Sequence, residues 1–390
     1  MSRKIERLKV LSSGIFSLIL TLGIARFAYT PLLPLMQQQA GLSVSDGGWL
    51  ASVNYLGYLC GAVIASFISN LIIKDRLYRT GLIVALLSTA GMGLTENIWL
   101  WLVLRFLAGL SSAAGLLLGS GLILNWLIRH GQRSELGIHF SGLGLGIAFC
   151  ALAVELMSYY FNWSQQWLLL TLMGVLFLIP AWKWLPAPDN SVVTHNGEIM
   201  TDSPPGRTFL RLFMAAYFCA GVGYVISATF IVAIIEQLPG LEGRGTWVFM
   251  VLGLAAAPAC IVWDLIARRF GYFNALLYAY LIQAFGICLP VIEPSLNLSL
   301  LSAVLFGGTF IGIVSLVLTM AGSYYPTRPA KMMGKITIFY GIAQILSPAV
   351  TGILAEQTGS YSNALYAAAM IMVAGSFLIL KLKMLNVQSS

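Results

Sequence analysis

Apolar stretches of about 20 residues recur from one end of this chain to the other. Each is long enough to cross a hydrocarbon core about 30 Å thick as a helix. They fall near 10–36, 47–70, 79–95, 98–128, 136–160, 163–185, 209–236, 244–267, 272–291, 296–323, 334–355 and 361–381. The chain is 58% hydrophobic and only 9% charged, with a mean hydropathy of +0.85. A soluble domain carries about 25% charged residues, so too little polar surface remains here to solvate a globule in water. In lipid the backbone must satisfy its own hydrogen bonds within each segment, which selects helices. The expected fold class is therefore an all-α polytopic membrane protein with twelve transmembrane helices. The runs 98–128 and 296–323 are long enough to tilt or to extend past the bilayer. Glycine-rich stretches such as "SGLGLGIAFC" suit helices that approach closely in lipid.

The net charge of +8 records topology rather than a nucleic-acid partner. Under the twelve-span reading, 19 of the 22 Lys and Arg fall in segments on one side. These are Arg3, Lys4, Arg7, Lys9, Lys74, Arg76, Arg79, Arg129, Arg133, Lys183, Arg207, Arg211, Arg268, Arg269, Arg328, Lys331, Lys335, Lys381 and Lys383. Arg244 alone falls in a loop on the other side, while Arg26 and Arg105 lie within spans. Basic loops face the cytoplasm, so both termini are expected there, in a bacterial cytoplasmic (inner) membrane. Cys60, Cys150, Cys219, Cys260 and Cys288 all sit inside spans without metal-type spacing and read as small buried apolar residues. The first apolar run is long and has no small-residue cleavage site, so it reads as a retained helix.

One sustained polar stretch, "PAPDNSVVTHNGEIMTDSPPGR" at 186–207, reads as a flexible cytoplasmic linker. It divides the chain into six-helix bundles over 1–185 and 209–390, with 186–208 between them. Related halves are a mark of secondary transporters, whose substrate site lies near the midplane between them. Weak echoes support a repeat: "IIKDRLYRTG" is read as the loop after the second span and "WDLIARRFGY" as the loop after the eighth. Each pairs an aspartate with following arginines. A short basic turn explains either one alone, and their matching placement adds weight to the repeat.

These features resemble the major facilitator superfamily, whose loop between helices 2 and 3 carries a Gly-x-x-x-Asp-Arg-x-Gly type motif. Here Asn70 and Leu71 stand where the first glycine is expected, while Asp75 and Arg76 remain. The fourth span, "LVLRFLAGLSSAAG", is similar to an Arg-x-x-x-Gly signature, with Arg105 and Gly109 in place. The run "ARFAYTPLLPLM" and the eleventh span, "GKITIFYGIAQILSPAVTG", resemble the bacterial YbfB/YjiJ branch, though Ala25 stands where a glycine is expected. The resemblance covers essentially the whole chain and is specific for fold, not substrate. The fifth span lacks the Gly-Pro pair of many drug/proton antiporters, which argues against that assignment.

Charges inside spans are costly and usually face a cavity or a partner. Arg26 lies eight residues before Pro34, about 12 Å below that end. Arg105 lies six residues past Trp99, about 9 Å deep, and Glu155 five before Tyr160, about 8 Å deep. The resemblance implies that the spans carrying both arginines line one central cavity. The functional reading is an anion-attracting site with Glu155 as the proton-coupling carboxylate. The competing reading is a structural salt bridge, with Glu155 snorkelling outward. Tyr29 and Thr30 stand three and four positions after Arg26, on one helical face. Pro31 and Pro34 free carbonyls nearby, which only a protein- or water-lined setting tolerates.

In the second half, Tyr217, Tyr224, Thr309 and Gln344 are polar or amphipathic groups near midplane depth, and for each a packing role competes. Asp75, Arg76, Asp264 and Arg268 read as cytoplasmic gate residues, with Asp264 in a turn. Glu236, Glu242, Glu293 and Glu356 read as solvated. "HGQRSE" places Glu135 five after His130, but a basic turn explains it better than an acyltransferase dyad. His139 and His195 add no catalytic pattern, and no phosphate-cradling loop ending in Lys-Ser/Thr occurs. The sequence therefore points away from an enzyme and toward a secondary transporter, expected as a monomer. No cofactor or metal is expected. Its partners are protons, the lipid bilayer and a small solute, here an organic anion or an amphiphile bearing one. Multidrug efflux of neutral or cationic compounds is the rival reading, and a non-transporting sensor or scaffold the rival of another class.

Overall fold

The computed structural model describes residues 3–134, 136–189, 199–236, 240–241, 243–293, 295–358 and 362–389. Glu135, His195 and Glu242 lie outside the described residues, as do the side chains of Pro34, Glu236, Pro348 and Glu356. The described elements are all helical, with no strand among the described residues. Its helices are α1 (Arg3–Leu18), α2 (Tyr29–Ala40), α3 (Val44–Phe67), α4 (Leu71–Leu94), α5 (Ile98–Ala113), α6 (Ser120–Arg129) and α7 (Gly137–Met157). They continue with α8 (Trp163–Lys183), α9 (Arg207–Glu236), α10 (Gly245–Phe270), α11 (Tyr272–Ile292), α12 (Leu296–Ser323), α13 (Pro329–Thr358) and α14 (Ser362–Ser389). A π-helical segment, Ile19–Phe27, joins α1 to α2, and a second, Ala114–Gly119, joins α5 to α6. The fourteen helices thus form twelve rods. Eleven stretches among the described residues are long and apolar enough to cross a membrane. The remaining rod, α13, is the eleventh in chain order; it spans 30 residues and contains the run expected at 334–355.

Polar residues between the runs start the helices by capping their free N–H groups. Ser43 accepts from Asp46 N at α3, Asn70 from Ile72 N and Ile73 N at α4, and Asn97 from Trp99 N and Leu100 N at α5. Asn162 and Gln165 form a reciprocal capping box at α8. Large apolar side chains such as Trp99, Leu172 and Phe377 stay exposed, at 73%, 65% and 65%. In a protein this apolar such outward side chains face lipid, which makes them an expected part of the solvent boundary.

Two compact units emerge, one of residues 1–203 and 321–335, the other of 204–320 and 336–390. Within the first, small residues bring helix backbones together. A Cβ at Gly109 would collide with the backbone carbonyl of Asn54 and lie 2.8 Å from Tyr58 N, so α5 meets α3 backbone to backbone. Gly23 and Gly146 do the same for the first π segment and α7.

The described ends of the polar stretch are tied down in this unit. Asp189 pairs with Arg129 at 3.1 Å, and Ser203 N donates to Tyr324 O at 2.9 Å. Asp202 accepts from Thr327 Oγ1 at 2.7 Å and pairs with Arg328 at 3.2 Å. Composition alone reads this stretch as flexible, because its few acidic side chains find their partners only in segments remote in sequence.

Candidate functional site

Carbonyl accounting in the first rod explains where Arg105 goes. Ala28 N donates to Gly23 O, five residues back, whereas Leu32 N donates to Ala28 O, four back. Between these two bonds lie four carbonyls, of Ile24, Ala25, Arg26 and Phe27. Only Tyr29 and Thr30 offer N–H groups there, because Pro31 has none. At least two buried carbonyls therefore need donors from outside the ladder. Arg105 supplies them: its Nη1 lies 3.1 Å from Ala25 O and 3.5 Å from Arg26 O, while its Nε reaches Leu50 O at 3.4 Å. Its guanidinium also lies over the Tyr29 ring at 4.3 Å, and Asn54 Nδ2 donates to Arg105 O at 2.9 Å. A planar fork with several donors suits this bridging far better than a point charge would.

Arg26 has a different environment. Its guanidinium lies 4.8 Å from the Tyr55 ring, 4.9 Å from Tyr58 and 5.5 Å from Phe27, and the residue is 6% exposed. Aromatic faces attract a desolvated cation by about 2 kcal/mol or more. The two arginines are neighbours, since Arg105 bonds to the Arg26 carbonyl. Tyr29 is buried, stacks under Arg105 and donates from its hydroxyl to Gly47 O at 2.9 Å, while Thr30 is half-buried. The wall of Arg26, Tyr29 and Thr30 that uniform α-helical spacing implies is thus divided among different partners, because the rod changes register between Arg26 and Tyr29. Glu155 is half-buried in α7 and forms an ion pair with neither arginine.

In the second unit, Tyr217 stacks on Tyr340 at 4.5 Å, and Tyr224 lies between Tyr340 at 5.8 Å and Phe310 at 5.2 Å. Phe306 extends the column at 5.2 Å from Phe310. Thr309 is buried and donates to Leu305 O in its own helix at 2.7 Å. Gln344 is buried with Oε1 unbonded, and buried Gln283 has neither Oε1 nor Nε2 bonded. Tyr340 and Gln283 do not stand out in the sequence. The one signal for Tyr340 is its place four residues before Gln344, on one face of α13.

The remaining sequence candidates fall elsewhere. Asp75 pairs with Arg79 at 2.9 Å, and Arg79 also donates to Trp182 O at 2.7 Å and Leu185 O at 3.1 Å. Arg76, the motif's own arginine, is exposed. Asp264 is not in a turn. It lies buried in α10, which runs on through exposed Arg268 to Phe270 and ends only at Gly271, with φ 83°. His139 is fully buried in α7 with its Nε2 2.7 Å from Ser120 Oγ.

Twelve helical rods among the described residues, eleven of them apolar enough to cross a membrane, define a polytopic membrane protein. A family model described as "Uncharacterised MFS-type transporter YbfB" matches residues 18–380, and the chain belongs to that family of the major facilitator superfamily. The chain is 35% identical over 98 residues to the uncharacterised MFS-type transporter YceJ of Bacillus subtilis, covering 25% of each chain. It is 24% identical over 159 residues to the niacin transporter NiaP of Acinetobacter baylyi, covering 41% of this chain and 33% of that one. The chain thus spans a third or less of the length of these two relatives. Over 383 residues it is 20% identical to the hexuronate transporter of Bacillus subtilis, covering 91% and 90%. In fold it is similar to the human organic anion transporter MFSD10 (TETRAN). The TM-score is 0.74 at 16% identity, over 96% of this chain and 99% of that one.

Proposed function

We propose that this protein is a secondary transporter that moves a small organic anion, or an amphiphile bearing one, across the bacterial inner membrane by alternating access, driven by protons. The observation that carries this reading is the placement of Arg26. It is a buried guanidinium held against Tyr55 and Tyr58 in the middle of a helix bundle. Arginine's fork suits a carboxylate, and its ring neighbours suit the apolar body of the same solute. Arg105 shapes the site by fixing the backbone that carries Arg26. Glu155 exchanges the coupling proton, and Tyr217, Tyr224, Thr309 and Gln344 contribute from the second half. Asp75, Arg76, Asp264 and Arg268 belong to the cytoplasmic gate. The halves 1–185 and 209–390 rock about the 186–208 linker, with both termini in the cytoplasm. Support also comes from the names of similar proteins, which transport niacin, hexuronate or organic anions, the first two of them carboxylic acids.

Proteoliposomes holding the purified protein test this with a panel of labelled carboxylates under an imposed pH gradient. Uptake of at least one carboxylate is expected, lost when the gradient collapses and uncoupled from it in Glu155→Gln. Movement of neutral or cationic amphiphiles with no carboxylate transported would replace the proposal with multidrug efflux.

A further inference from the structure

Lys74 is the outlier among the buried cations of the first unit. It is 0% exposed, and its Nζ has no hydrogen-bond partner. An unpaired buried ammonium costs several kcal/mol, so such a group calls for a missing counter-charge. Its surroundings make the deficit worse. Lys331 and Arg328 both act electrostatically on its ammonium as like charges. The carboxylates at hand are already committed, Asp75 to Arg79 and Asp202 to Arg328 and Thr327. Among the described residues neither Lys74 nor Lys331 has an ion pair; Lys331 is half-exposed, so the uncompensated buried charge is that of Lys74.

The backbone adds to the same field. Lys74 lies at the start of α4 and Lys331 at the start of α13, and neither helix has an acidic residue in its first turn. The two starts are in contact, since Lys331 Nζ donates to Ser69 Oγ at 3.2 Å. A helix N-terminus carries partial positive charge and favours an anion, whereas a lysine there is unfavourable. Asn70 already caps Ile72 N and Ile73 N, so what these two termini offer an anion is their positive field and their lysines rather than free N–H groups.

We propose that the joined N-terminal ends of α4 and α13 bind a phosphate-bearing anion, with Lys74, Lys331 and Arg328 as its cations and Ser69 as a hydroxyl ligand. The buried charge of Lys74 and the neighbouring Lys331 suit a phosphate group, a dianion when free and a monoanion in a diester headgroup, and the cytoplasmic face expected for these basic segments is also where anionic phospholipid headgroups lie. Free phosphate and a lipid headgroup share this chemistry. The site is separate from Arg26 and does not depend on what the protein transports.

Melting of the purified full-length protein in detergent tests the site without any transported solute. Two pairs of additions are compared: phosphatidylglycerol against phosphatidylcholine, and inorganic phosphate against chloride at equal ionic strength. The variants are Lys74→Met and Lys331→Gln. The wild type is expected to gain stability from phosphatidylglycerol, which identifies a headgroup, or from phosphate, which identifies a free anion. At ligand a hundredfold above Kd the gain is about a hundredfold in the folding equilibrium. Lys74→Met is expected to melt no lower than wild type without ligand, because it removes an unpaired charge, and to lose the ligand response. Lys331→Gln is expected to weaken that response, and it carries the test if Lys74→Met fails to fold. No response in the wild type beyond phosphatidylcholine and chloride, or an undiminished response in both variants, would overturn the proposal.

Discussion

Arg26 and Arg105 are the same residue type, buried side by side in one unit, yet their surroundings differ in kind. Arg105 has its nitrogens directed at backbone carbonyls of two neighbouring segments, at 3.1–3.5 Å. Arg26 faces three aromatic rings at 4.8–5.5 Å. The first arrangement completes hydrogen bonds that the change from π- to α-helix and Pro31 leave open, so its absence would expose a structural defect. The second gives the guanidinium an apolar, polarisable wall that a solute could share. Depth in the membrane does not distinguish the two, whereas the partner groups do.

Removing Arg105 is the strongest way to break this contrast. Each buried carbonyl left without a donor costs about 1–3 kcal/mol. Arg105→Ala is therefore expected to lower the melting temperature and folded yield in detergent more than Gly109→Ala, Asp75→Asn, Arg76→Gln or Glu155→Gln does. Arg105→Lys is expected to recover only part of the loss. If Arg105→Ala melts like the wild type, its carbonyl contacts are not structural. Next in size is Gly109→Ala, which drives a methyl into the Asn54 backbone and separates α5 from α3. Overpacking of this kind costs about 1–3 kcal/mol. Thermal unfolding checks it, and an unchanged midpoint would mean that the helices do not touch there.

Asp75→Asn should cost less, about 1 kcal/mol, because its pair with Arg79 is largely but not wholly shielded from solvent. Arg76→Gln should change stability less still, since Arg76 is exposed and Asp75 turns to Arg79. Equal losses in the two variants would return the motif's own arginine to the ion pair. The smallest stability effect is expected for Glu155→Gln, within about 0.5 kcal/mol, because no ion pair is lost. A large drop in melting temperature there would point to a structural role for the carboxylate.

Much of the fold is legible in the sequence, since a bilayer imposes one length and one secondary structure on every apolar run. The intramembrane charges are equally visible, because a single Arg26 or Arg105 stands out against its run. Their division of labour is not. It depends on a π-helical register that leaves no mark in composition, and on Tyr55 and Tyr58 arriving from another helix. The Asp75–Arg79 pair is within reach, because spacing of four on a helix favours it over the adjacent Arg76. The Asp202 contacts with Thr327 and Arg328 are not, since 125 residues separate Asp202 from Thr327. The same holds for Tyr340, whose stacking on Tyr217 and Tyr224 is settled by packing between α9 and α13.

The role of Arg26 is tested most directly by the concentration dependence of carboxylate uptake into proteoliposomes, for wild type and Arg26→Gln, with melting temperature recorded on the same preparations. A charge-assisted contact is worth about 1.5–3 kcal/mol, or roughly 10–100-fold in affinity. The prediction is a KM raised by that factor in Arg26→Gln, with a melting temperature well above that of Arg105→Ala. An unchanged KM, or a variant as unstable as Arg105→Ala, would contradict the assignment of Arg26 to the solute.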